Sequence, residues 1–185
     1  MVLRGQFRRS LDWRPDWRIG DAPLVFADLE TTGLFPERGQ RITEVAVIDA
    51  GGLRCHHTTD NEGFEGAAER RLLHDIFESL ENVIVVGHNI GFDLRFLFER
   101  AARRDVEMPT IGMIDTLRLA KSHLDAADYR LASVAQYLEL ELPGSLHRAK
   151  EDTRLVRDVF WEIVDRGDLQ TLADVDIQRL DLCFD

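Results

Sequence analysis

A three-layer α/β domain with a mixed sheet, whose first three strands run antiparallel, is predicted by three features of the sequence. Short β-branched runs crowd the first 60 residues, strand and helix patterns alternate after residue 66, and the chain length suits one domain. Of the 185 residues, 44% are hydrophobic, enough for a core without disulfides or structural metal. Cys55 and Cys183 are far apart and form no CxxC pair, so a reducing cytoplasm is expected. No apolar run reaches the roughly 18 residues of a membrane span, and no signal core follows the N-terminus.

Residues 1–22 read as an N-terminal extension, with Arg4, Arg8, Arg9, Arg14 and Arg18 set among Phe7, Trp13 and Trp17. Such a composition can stack on bases, but a segment with two tryptophans more often packs back on its own domain. The apolar run 23–29 is too short for a helix and reads as a buried strand. A second strand is expected over 41–50, and Gly51-Gly52 turns it into a third over 53–58. Leu72, Leu73, Ile76, Phe77 and Leu80 recur at helical spacing within 66–80, and Val83 to Val86 forms the next buried strand. Further on, Phe92 to Arg104 reads as a helix and 111–116 as a strand leading into a helix through Ser122. Helical spacing returns over 131–138 and 153–164. The expected divisions are the extension 1–22, a domain over 23–166 and a tail over 167–185.

A net charge of -11 argues against broad phosphate neutralisation by a basic surface. It is compatible with a site that gathers carboxylates around divalent cations. Asp28 and Glu30 flank Leu29 at the end of the first strand, so period-two geometry aims both carboxylates at one face. Gly33, after Thr31 and Thr32, permits close backbone approach. Asp93 and Asp152 each stand at the head of a helix, where an acid alone is explained by capping or the helix dipole. Together, four acids at strand ends and helix starts on one rim of an α/β sheet suit phosphodiester hydrolysis with two Mg²⁺ or Mn²⁺ ions. Histidine titrates near neutral pH, which suits His147 as the group that takes the proton of the attacking water.

These residues resemble the DEDDh exonucleases of the ribonuclease H-like superfamily, which includes the proofreading subunit of bacterial DNA polymerase III. Asp28-Leu29-Glu30-Thr31-Thr32-Gly33 is similar to the first motif of that family, His88-Asn89-Ile90-Gly91-Phe92-Asp93 to the second, and His147-Arg148-Ala149-Lys150-Glu151-Asp152 to the third. The resemblance implies a ribonuclease H-like fold and release of nucleoside 5′-monophosphates from a 3′ end. It makes Asp28, Glu30, Asp93 and Asp152 metal ligands and His147 the base. Thr31, Thr32, Leu34, His88, Asn89 and Phe92 become substrate-binding residues. A sister group carries Tyr four residues before the last Asp; Arg148 stands there.

One departure is the short stretch 57–82, which lacks a Pro-rich segment; Glu69 to Leu73 looks closer to exonuclease domains of B-family polymerases. The tail residues 178–184 resemble a peptide that binds the bacterial sliding clamp, with Arg179 where Gln is expected. The expected partners are nucleic acid with a free 3′ end, a DNA polymerase or clamp, and no membrane. DNA, in proofreading or repair, is the favoured polymer; an RNA or oligoribonucleotide exonuclease and a polymerase accessory or nucleic-acid-binding module with little activity of its own are the alternatives.

Overall fold

The computed structural model describes residues 13–60, 62–145 and 147–180. Its strands are β1 (Leu24–Thr31), β2 (Ile42–Asp49), β3 (Gly52–Thr58), β4 (Ile84–Gly87), β5 (Ile111–Asp115) and β6 (Gln178–Leu180). Its helices are α1 (Gly66–Ser79), α2 (Ile90–Arg104), α3 (Thr116–His123), α4 (Leu131–Tyr137) and α5 (Ala149–Arg166). The six strands form one mixed sheet in the order β3-β2-β1-β4-β5-β6. β1, β2 and β3 pair antiparallel, β1, β4 and β5 run parallel, and β6 closes the far edge antiparallel to β5. The predicted three-layer architecture and antiparallel opening are therefore present, while β6 had no counterpart among the predicted strands. Three residues are too few for a period to show.

Alternation along β1 decides which layer each side chain meets. Val25 and Leu29 enter the core under α1 and α2. Leu24 and Phe26 enter the core under α3, α4 and α5, where Phe26 meets Phe160 edge to face with ring centroids 5.7 Å apart. Continuing that period puts Asp28 and Glu30 on the α5 side. β1 also runs two residues beyond the expected 29, and its register with β2 shifts between Glu30 and Thr31.

On the opposite side, α1 and α2 are joined by a buried ionic link. Glu69 is fully buried and accepts two hydrogen bonds from Arg100 and a third from Arg104. A buried carboxylate is tolerable only when its oxygens are satisfied in this way.

The described parts of both flanks pack on the same core. Leu172 N–H donates to the Trp17 carbonyl and Ile19 N–H to that of Gln170. The Trp13 indole lies against the Gly112 backbone, where an added Cβ would stand 2.7 Å from its Nε1. Arg4, Phe7, Arg8 and Arg9, and the tail beyond Leu180, lie outside the described residues. Among the described residues no helix is long and apolar enough to cross a membrane.

Candidate active site

The site forms where the sheet opens. β4 pairs with β1 only over Leu24 to Phe26 and ends at Gly87, where an added Cβ would fall 2.4 Å from the Ile90 side chain. The Leu29 N–H lies beyond that ladder and donates instead to Asp93 Oδ1 at 3.0 Å. Asp93 sits in the first turn of α2. A capping role was the ordinary expectation for an acid there; its carboxylate instead reaches across to β1. The turn ahead of it is pinned, since Asn89 adopts φ 61° and its N–H donates to Asp115 Oδ1 at 2.8 Å. Asp115 also accepts from Leu117 N–H, capping α3.

From the other layer, the head of α5 supplies Asp152 and, just before the helix, His147. The helix begins four residues earlier than its apolar spacing suggests, at Ala149, so Asp152 lies inside its first turn. His147 has φ 64°, a conformation costly for a residue with a Cβ, and its N–H donates to Asp152 Oδ2 at 3.0 Å. Ligand atoms of Glu30, His147 and Asp152 all lie within 4.8 Å of one another. The remaining Asp152 oxygen, Oδ1, is buried with no hydrogen-bond partner.

Burial pushes the Asp28 carboxyl well above its ordinary range, and the charges of Asp93, Asp152, Glu30 and Glu44 push it further. Burial likewise raises Asp93, to about 8, against the opposing Leu29 hydrogen bond. Glu30 is raised by burial and by Asp152, and Asp152 by burial against the hydrogen bond from His147. Carboxylates that crowd one another out of water, one with an orphaned oxygen, lack positive charge. An all-oxygen donor set suits hard divalent cations such as Mg²⁺ or Mn²⁺. The residues therefore fit such ions.

The other predicted residues divide by exposure. Leu34 is 65% exposed, and Phe92 is half-buried against Phe96. Thr31 Oγ1 donates to the Gly33 carbonyl, while Thr32 Oγ1 accepts from Arg41 N–H, so both hydroxyls shape the loop. The His88 ring turns inward, with Nδ1 3.0 Å from Thr116 Oγ1 and Nε2 2.8 Å from the Tyr129 carbonyl. Burial holds its pKa below the ordinary value. Sequence reasoning missed Glu44, a buried acid on β2 directly opposite Glu30, together with its partners Arg148 and His56.

An exonuclease family model, RNase_T, matches residues 48–160, and the chain belongs to that family. The match covers Asp93, His147 and Asp152, while Asp28 and Glu30 lie ahead of it. Among curated relatives, the PolC-type DNA polymerase III of Thermotoga maritima is 35% identical over 173 residues, covering 81% of this chain and 12% of that protein. The DNA polymerase III subunit epsilon of Rickettsia conorii is 27% identical over 167 residues, covering 76% of this chain and 73% of the subunit. The chain thus spans about an eighth of the PolC-type relative's length. The fold is ribonuclease H-like, as in Exonuclease X solved with 5′ overhanging duplex DNA (TM-score 0.56, 19% identity, 83% of this chain and 98% of the other).

Proposed function

We propose that this chain is a metal-dependent 3′-to-5′ exonuclease acting on DNA and releasing nucleoside 5′-monophosphates, with a DEDDh site formed by Asp28, Glu30, Asp93, Asp152 and His147. The observation that carries it is the convergence of acids from β1, α2 and α5, with the orphaned Asp152 oxygen, at the open end of a sheet in an exonuclease-family chain. The four carboxylates would hold two Mg²⁺ or Mn²⁺ ions, which when bound supply charge neutralisation at the scissile phosphate and activation of the attacking water. Asp93 is fixed for that task by the Leu29 N–H, and Asp152 by the His147 N–H. His147, exposed at the mouth, takes the proton of the incoming water through its imidazole. Leu34 and Phe92 offer apolar surface against the terminal nucleotide, and the Thr31–Thr32–Gly33 loop presents backbone to it. Asn89 stands exposed beside them. His88 contributes indirectly by holding the Tyr129 segment in place.

DNA is favoured over RNA because the relatives include PolC-type DNA polymerase III and the DNA polymerase III subunit epsilon. On the same ground we propose a polymerase as partner. Gln178 to Leu180 form β6, so a clamp-binding role for 178–184 would have to begin from a paired strand. Ile19, Leu172 and Val175 of the described flanks join the buried core of the 23–166 span expected from the sequence.

The test uses 3′-labelled and 5′-labelled single strands of DNA and RNA with Mg²⁺, Mn²⁺ or EDTA. Faster metal-dependent loss of the 3′ label from DNA is expected. Faster loss from RNA would reassign the polymer, and no cleavage of either would favour the accessory reading.

A further inference from the structure

Glu44 is 5% exposed, carries no role in the site described above, and lies on β2 with Glu30 as its cross-strand partner. A carboxylate buried among other acids needs partners for its oxygens, and a side chain reaches each of them. His56 on β3 places Nε2 3.0 Å from Oε1, and Arg148 places Nε 3.1 Å from Oε2. Arg148 is bonded in the chain to His147 and is the cap residue just before α5.

We infer that Glu44 and Arg148 form a clamp that fixes the His147 segment on the sheet, which makes them positioning residues for the proposed base. This inference rests on the function proposed above. Three features give it physical content. First, His147 sits at φ 64°, a conformation that persists only when its surroundings hold it. Second, its backbone is tied on one side to Asp152 through N–H and on the other to β2 through the Arg148 side chain. Third, α5 is seated on the same strand, where Thr153 Oγ1 lies 3.4 Å from the Ala46 carbonyl. β2 thus carries no proposed metal ligand, yet it sets where the base stands relative to Asp28 and Glu30 on β1. A guanidinium suits the task because its donors have fixed directions, whereas a lysine would supply a point charge.

The experiment compares wild type with Arg148→Ala, Arg148→Lys, the near-isosteric Glu44→Gln and the double variant Glu44→Gln/Arg148→Ala. Two readouts are taken: backbone hydrogen exchange over residues 147–152, and kcat and KM on single-stranded DNA with Mg²⁺. Expected are faster exchange at the His147 and Asp152 amides and a kcat lowered roughly 10- to 100-fold. KM should stay within about twofold, Arg148→Lys should recover part of the loss, and the double variant should be no worse than the poorer single one. Two results would overturn the clamp. One is a raised KM at unchanged kcat in Arg148→Ala, which marks a direct phosphate contact. The other is unchanged exchange over 147–152 in both single variants. The exchange arm needs no turnover, so failure of the exonuclease reading, seen as an inactive wild type, is distinct from failure of the clamp.

Discussion

At the scale of single residues, chemistry and stability pull in opposite directions. Asp93 is held at a pKa of about 8, and Asp28, Glu30 and Asp152 are also raised, whereas an unfolded carboxyl titrates near about 4. The folded chain therefore binds more protons than the unfolded one through this interval, so stability without metal falls as pH rises from about 4 to about 8. Divalent cations replace those protons and reverse the trend. Melting with and without Mn²⁺ at pH 5 and pH 8 checks this. At pH 8, metal at 100 times its Kd should add about 2.7 kcal/mol, or roughly 5 to 10 °C in a chain of this length. The gain should shrink at pH 5, and a metal-free protein most stable at pH 8 would contradict the electrostatics. His147→Ala should lower kcat by about 100- to 10,000-fold, the usual weight of a general base. Because His147 is exposed, the melting temperature should barely move.

At the scale of elements, strands and helices differ in what their sequences disclose. Asp28 and Glu30 were legible because a strand's period of two puts them on one face, and the face itself follows from Phe26. Asp93 and Asp152 were legible only as helix-head acids. What Asp93 bonds to, the Leu29 N–H 64 residues away, depends on where β4 stops. Glu44 was hidden for the same reason: inside a β-branched run it looks like an ordinary solvent-facing position, and its partner Arg148 lies 104 residues further on. Local pattern carries no information about such pairs. The link between α1 and α2 shows the energetic side of this. Removing Glu69 leaves Arg100, 3% exposed, without its partner, and losing one member of a buried pair costs about 3–5 kcal/mol. Urea unfolding of Glu69→Ala should show that loss, and a change below about 1 kcal/mol would mean that solvent reaches the arginines.

At the scale of the whole molecule, the sheet works as a frame whose open end collects charge. The order β3-β2-β1-β4-β5-β6 puts β1 in the interior with antiparallel support on one side and a short parallel partner on the other. Its last residues are thereby left free for side chains from both helical layers. The net charge of -11 is in keeping with a substrate met through cations rather than a basic surface. The three-layer class and most elements follow from periodicity. The edge strand β6 does not, because it exists only through its pairing with the distant β5, whereas the expected packing of the tryptophan-bearing segment on its own domain agrees with Trp13 and Trp17 lying against the core. In the proposed reaction four carboxylates and His147 direct water onto the phosphorus of a 3′-terminal nucleotide. Its most direct test is the chemical identity of the product released from single-stranded DNA by wild type and Asp28→Asn in Mn²⁺. Nucleoside 5′-monophosphates should be released one at a time by wild type and lost in the variant; nucleoside 3′-monophosphates, internal fragments, or release that persists in EDTA would contradict the proposed reaction.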